Sequence, residues 1–159
     1  MNGIFLLLGS NQGNRLNHIN YALELISDNI GKVGSMSSLY RSSSWGDENQ
    51  PDFLNMVIKV ESTLSASEIM RKILTIENMM GRIRTKKWAS RIIDIDILYY
   101  ENSVIDEADL HIPHPRIQDR RFTLIPLVEI APDEIHPVRG VSNSELLRLS
   151  TDPGRVEKI

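Results

Sequence analysis

A chain of 159 residues with 41% hydrophobic residues can bury one core, and its length argues for a single domain over 1–159. A formal net charge of -3 excludes a global attraction to nucleic acid or an anionic membrane, so any anion site must come from local clusters of Lys and Arg. With no cysteine, disulfide scaffolds, thiolate nucleophiles and cysteine-held zinc or iron are excluded, which leaves oxygen-ligated hard metals and a cytoplasmic setting as the expectations.

In chain order, Gly3 to Leu8 is an apolar run that stops at the turn formers Gly9 to Asn14, the pattern of a buried strand. It is too short to span a bilayer, and no membrane association is expected. Leu16, Ile19, Leu23, Ile26 and Ile30 recur at helical spacing, and Gly31 is the stop. Val33 to Arg41 reads as one strand. Phe53 to Thr63 reads as another, with Leu54, Met56, Ile58 and Val60 on one side, and the loop Ser42 to Asp52 joins the two. Ser65 and Glu68 form a capping box, after which Ile69, Ile73, Ile76 and Met80 give a second helix ending at Gly81. A basic loop, Arg82 to Arg91, leads into the strand Ile92 to Tyr100. The order strand, helix, two strands, helix, strand predicts an α+β domain with a ferredoxin-like βαββαβ antiparallel sheet and helices on one face. A C-terminal extension follows, with a short hairpin around Glu101-Asn102-Ser103, a turn-rich segment from His111 to Arg116, and helices near Arg120 to Ile130 and Ser144 to Leu149.

Asp94 and Asp96 carry the first chemical signal. Positions i and i+2 of a strand share a face, so the two carboxylates project together, roughly 6 to 7 Å apart. Such a pair repels itself unless a cation intervenes, and Mg²⁺ held by one or two carboxylates plus substrate phosphates is the usual remedy. For an isolated Asp-x-Asp, an edge strand with a wet outer face is the better account of so short and common a pattern; Ile92, Ile93, Ile95 and Ile97 weaken it, and only the neighbouring residues overturn it. Next to the pair lie Arg82, Arg84, Lys86, Lys87 and Arg91, with no acidic residue between Asn78 and Ile93. A solvated loop or a nucleic-acid patch would also produce that run. Carboxylates for a metal beside guanidinium groups for transferring phosphoryl oxygens are the parts phosphoryl transfer requires. Trp88 is either packing or a cover for a flat ring. His114, Arg116, Arg120 and Arg121 beside Phe122 form a second cationic group, or else a turn and a core residue. No Walker-type phosphate loop and no kinase signature set occurs.

Together these segments resemble the 6-hydroxymethyl-7,8-dihydropterin pyrophosphokinase family of folate synthesis. The likeness runs through Leu8-Gly9-Ser10-Asn11, Tyr40-Arg41-Ser42-Ser43, Gln50 to Asn55, Glu77 with Gly81-Arg82-Ile83-Arg84, Arg91 to Ile97, Pro113-His114-Pro115-Arg116, and Arg120 and Phe122 to Pro132. The resemblance implies a monomer that binds ATP, with two Mg²⁺ held at Asp94 and Asp96, and passes pyrophosphate to the pterin hydroxymethyl group, releasing AMP. Arg82 and Arg91 would stabilise the triphosphate during transfer. Arg84, Trp88, His114 and Arg120 would line the ATP side, with Glu77 and Ile97 toward the nucleoside. The pterin would lie between the rings of Phe53 and Phe122, read by Asn55 and by groups from Ser42 and Ser43 to Trp45. An Asn amide offers the donor and acceptor that an aminopyrimidine edge needs.

Some positions depart from the family pattern. Trp88-Ala89-Ser90-Arg91 stands where Trp-Gly-Pro-Arg is usual, Ser42-Ser43 replaces Thr-Pro, and Phe53 replaces a frequent Tyr. The alternative from another class is a non-catalytic ferredoxin-like module that binds RNA or a regulatory nucleotide. Such a module has no use for Asp94 and Asp96 beside its basic loop, and the chain carries no aromatic ribonucleoprotein motif.

Overall fold

The computed structural model describes residues 2–43, 49–81 and 92–159. Its elements run β1 Asn2–Ser10, α1 Arg15–Asn29, β2 Lys32–Met36, β3 Tyr40–Ser42, β4 Phe53–Ser62, α2 Ala66–Met79 and β5 Asp94–Tyr100. Then follow β6 Ile105–Glu107, β7 Leu110–Ile112, a 3-10 turn Ile117–Asp119, α3 Arg121–Ile130, α4 Asn143–Leu149 and β8 Val156–Lys158. The main sheet has the order β5-β1-β4-β3-β8, with β2 also on β4, and every pairing in it is antiparallel. This is the expected βαββαβ arrangement, with its second strand divided in two.

Local chemistry explains the helix limits. Asn14 caps α1 by accepting from Asn17 N at 3.1 Å. The capping box of α2 has both of its bonds, Glu68 N to Ser65 Oγ at 3.2 Å and Ser65 N to Glu68 Oε1 at 3.4 Å, an arrangement that stabilises by about 1 kcal/mol. Gly81, at φ 82, supplies the left-handed residue that ends α2.

The sheet is covered on both faces: α1 and α2 share one, as expected of the βαββαβ unit, and the C-terminal extension covers the other. Ile4, Leu6, Leu8, Ile58, Ile95 and Ile97 pack with the buried residues of α1 and α2. On the other face, Phe5, Leu7, Val57, Leu98 and Tyr99 pack with Leu124 and Leu127 of α3 and Leu146 of α4. The extension is therefore the third layer. For the same reason β4 is buried on both sides along much of its length, although its sequence alternates as a half-buried strand would.

Two expectations change. The strand anticipated over Val33 to Arg41 is interrupted at Ser37–Leu39. Its register against β4 slips between Val33↔Val60 and Met36↔Ile58, and again before Tyr40↔Asn55. Ser37 accounts for the break: its N–H donates to Val57 O at 2.8 Å, and its Oγ accepts from Val57 N at 3.0 Å, so side chain and main chain share one partner residue. The anticipated hairpin at Glu101-Asn102-Ser103 is only a turn ending β5, with Glu101 at φ 50; the paired strands are β6 and β7, just beyond it.

Candidate functional site

The site lies on the face covered by α3, at the end of the sheet where β1 stops. Leu98 packs on that face while Ile95 and Ile97 pack on the other, so alternation puts Asp94 and Asp96 on the α3 side. The same rule places Asn55 with Val57, and Gly9 with Leu7. Gly9 pairs with Asn55 on one side and with Asp94 on the other, forming a row across three strands. A Cβ on Gly9 would lie 3.0 Å from Asn55 Oδ1 and 3.4 Å from Phe53 Cδ1. The missing side chain is thus what leaves room for Asn55 and Phe53 beside β1.

On the β4 side, Asn55 is 2% exposed and its Nδ2 donates to Ser42 Oγ at 2.6 Å, which fixes the amide's orientation. Phe53 and Phe122 are both partly exposed. The Arg120 guanidinium stands 5.5 Å from the centre of the Phe122 ring, a cation–π arrangement that holds the ring at the start of α3. Ser43 is exposed. The other end of α3 is anchored by Glu129, whose carboxylate accepts from Ser38 N at 2.9 Å, Ser38 Oγ at 2.7 Å and Tyr40 Oη at 2.8 Å. Burial, followed by the Glu129 carboxylate, pushes the Tyr40 hydroxyl up to about 12, so it remains a donor. Because Tyr40 is the register partner of Asn55, this bond ties α3 to the strand pair that carries the amide.

On the β5 side, Asp94 and Asp96 are partly exposed, and β5 is the end strand of the sheet. Their face is not simply wet. Burial lowers the Arg120 guanidinium while Asp96 and Asp94 raise it, so this partly buried cation stands within reach of both acids. Burial, then Arg120, lowers His114 to about 4, with Asp94 opposing. His114 is therefore neutral at pH 7. Its Nδ1 accepts from Arg116 N at 3.1 Å, which leaves the proton on Nε2 as a donor. The main chain of His114 is placed by a bond from its N–H to Leu98 O at 2.9 Å.

Glu77, 1% exposed, accepts from Ile95 N through Oε2 at 2.9 Å. It pins the main chain at the residue between the two aspartates. The side chain of Ile97 is in the core under α1 and α2, but its N–H, two residues on from that of Ile95, faces the same outer edge of β5. Trp45, Arg82, Arg84, Trp88 and Arg91, with the Ala89-Ser90 departure, lie outside the described residues.

Among the described residues no group of three or more His, Cys, Asp or Glu converges. The Asp94/Asp96 pair is a two-carboxylate donor set, of the kind to which Mg²⁺ adds water and phosphate oxygens. Among the described residues, no helix is long and apolar enough to cross a membrane. Sequence reading gave Gly9, Tyr40 and Glu129 no role of their own. Only for Gly9 is there a local signal, a glycine at the end of a buried apolar strand.

The family model of 7,8-dihydro-6-hydroxymethylpterin-pyrophosphokinase (HPPK) matches residues 5–132. The chain is 42% identical over 135 residues to the 2-amino-4-hydroxy-6-hydroxymethyldihydropteridine pyrophosphokinase of Aquifex aeolicus, covering 85% of this chain and 84% of that one. It is 35% identical over 160 residues to the protein of that name from Methylorubrum extorquens, covering 100% and 99%. Its fold is similar to a crystal structure of wild-type Plasmodium falciparum HPPK-DHPS, with a TM-score of 0.74 at 18% identity, over 93% of this chain and 43% of that longer one.

Proposed function

Because the chain belongs to the 7,8-dihydro-6-hydroxymethylpterin-pyrophosphokinase family, we propose that it transfers pyrophosphate from ATP to the hydroxymethyl group of 6-hydroxymethyl-7,8-dihydropterin, in folate biosynthesis. The hydroxymethyl oxygen attacks the β-phosphorus and gives up its proton to solvent water. The bond from that phosphorus to the α-phosphate oxygen breaks, and AMP leaves with the electron pair. The observation that carries this reading is the row Asn55–Gly9–Asp94, which sets an amide suited to an aminopyrimidine edge beside a carboxylate suited to a metal–phosphate complex. The RNA-binding alternative is not favoured.

The residue roles combine that geometry with the family resemblance, on which alone the roles of Trp45, Arg82, Arg84, Trp88 and Arg91 rest. Asp94 and Asp96 would hold two Mg²⁺, and the ions would offset phosphoryl charge between the carboxylates and the triphosphate. Arg120 and the Nε2–H of His114 would bind phosphate oxygens from the opposite side, and a guanidinium already stripped of part of its water grips an anion more strongly. Arg82 and Arg91 would stabilise charge during transfer, Arg84 and Trp88 would line the nucleotide, and the main chain of Ile97 would meet the base. Glu77 would act by holding β5 in place. The pterin would stack between Phe53 and Phe122, with Asn55 orienting it and Ser42, Ser43 and Trp45 around its edge. We take the chain to work as a monomer in the cytoplasm, as one domain over residues 1–159; the two cores on opposite faces of one sheet support the last point.

Incubation with Mg²⁺, ATP and the hydroxymethyl dihydropterin tests the proposal. AMP formed one-for-one with the pterin diphosphate is expected. Release of ADP, or of AMP at the same rate without pterin, would overturn it.

A further inference from the structure

Residues 155–158 lie beyond the segment matched by the family model, yet they are built into the sheet directly beside the residues assigned to the pterin. β8 pairs with β3 in the register Ser42↔Val156, Arg41↔Glu157 and Tyr40↔Lys158. On its other edge, Ser42 pairs with Phe53. The strand that carries Ser42 is thus held between β4 and β8. The ladder continues past both ends, with Ser43 N donating to Arg155 O at 3.4 Å and Ile159 N donating to Leu39 O at 3.0 Å.

Side chains add a second tie. Arg155 Nη2 donates to Asp52 Oδ2 at 3.0 Å, and Arg41 Nη2 donates to Glu157 Oε2 at 2.7 Å. Arg41 Nε stands 4.0 Å from the same Asp52 oxygen, and Arg155 Nε stands 3.8 Å from Glu157 Oε1. Asp52 is the residue before Phe53, and its carbonyl accepts from Arg15 Nη1 at 2.7 Å. β8 thus holds the chain at Ser42, and Arg155, the residue before it, holds Asp52 next to Phe53. Exposed ion pairs are weak singly, but four charges sharing acceptors restrain one another. A three-residue strand with one neighbour has little to hold its register. Without β8, Ser42 would keep its place only through β4 and through the bond from Asn55 that it is meant to orient.

We propose that β8 is a clamp on the pterin pocket: it is a positioning element that sets pterin affinity through Ser42 and Asp52–Phe53. Asp94 and Asp96 lie on β5, at the opposite edge of the sheet from β8. The proposal deepens the pyrophosphokinase reading and rests on it.

The test compares the unaltered chain with a deletion of residues 155–159 and with Arg41→Ala, Glu157→Ala and their double variant. The deletion is expected to raise the pterin KM about tenfold, with kcat at saturating pterin and the Kd of a non-hydrolysable ATP analogue each within about twofold. Each single substitution should raise the pterin KM about threefold, and the double no further, because either change already breaks the tie. If the deletion does not fold, the substitutions decide the matter alone. An unchanged pterin KM in the substituted chains overturns the clamp. So does a parallel loss of pterin and nucleotide affinity, which would mark a purely structural role. If the unaltered chain forms no AMP from the two substrates, the pyrophosphokinase reading falls and the clamp with it; AMP formation with a pterin KM indifferent to β8 removes the clamp only.

Discussion

Asn55 and Asp94 flank Gly9 from opposite sides, in one register row across β4, β1 and β5. Two strand spacings put their main chains about 10 Å apart, a span on the scale of a bicyclic ring with a hydroxymethyl arm. The residue between them contributes no side chain, so the row forms a floor with two functional ends.

Filling that floor should damage one end selectively. In Gly9→Val the Cβ alone would sit 3.0 Å from Asn55 Oδ1 and 3.4 Å from Phe53 Cδ1, so the amide or the ring beside it has to shift. The expected result is a rise of about tenfold or more in pterin Kd, with ATP affinity nearly unchanged. Titration calorimetry with each ligand separately checks this.

Asp94→Asn and Asp96→Asn should each lower kcat by about a hundredfold or more, since each removes a carboxylate from the metal–phosphate complex. Thermal stability without Mg²⁺ should change little, because relief of the repulsion between two like charges offsets the lost attraction to Arg120. Thermal melts beside the AMP assay separate these effects; a large fall in melting temperature would mean that the acids are structural.

Glu77 offers a contrast. Its buried side chain satisfies Ile95 N, so Glu77→Ala should cost about 1–3 kcal/mol of stability, as expected when a buried donor loses its acceptor. Denaturant unfolding measures it. If stability is unaffected, Glu77 does not hold β5.

The strands and helices up to Tyr100 were legible because periodicity records burial on one face: Ile69, Ile73 and Ile76 mark α2, and Ile95 and Ile97 mark the core side of β5. Burial of the second face was legible in β1, whose unbroken apolar run includes Phe5 and Leu7, but what covers it was not: the packing of α3 and α4 on Phe5, Leu7 and Val57 joins segments far apart in sequence. The break in Val33 to Arg41 escaped notice because Ser37 makes it by bonding across to Val57, a partner twenty residues away in sequence. β8 is only three residues long, too short for any period to register. At the site, the Asp94/Asp96 pair could be found from spacing, whereas the Glu129 anchor joins residues whose proximity only the fold creates.

The stability of the free protein should depend on pH through His114. Its folded value, about 4, lies below the ordinary 6.5, so the neutral form is favoured in the fold. The contribution is complete above about 6.5 and is lost as the pH falls toward about 4, where the unfolded chain takes up a proton that the folded one resists. The loss should be on the order of 3 kcal/mol. Urea unfolding between pH 7 and 4, without Mg²⁺ or nucleotide, should show this slope reduced in His114→Asn; an identical slope in both proteins would refute the assignment.

A crystal structure with Mg²⁺, a non-hydrolysable ATP analogue and the hydroxymethyl dihydropterin tests the central claim most directly. The expected result is metal density bonded to the carboxylates of Asp94 and Asp96, phosphate oxygens near Arg120 and His114, and the pterin between Phe53 and Phe122 with its edge on Asn55. Metal and phosphates bound elsewhere, with both aspartates in solvent, would contradict the account.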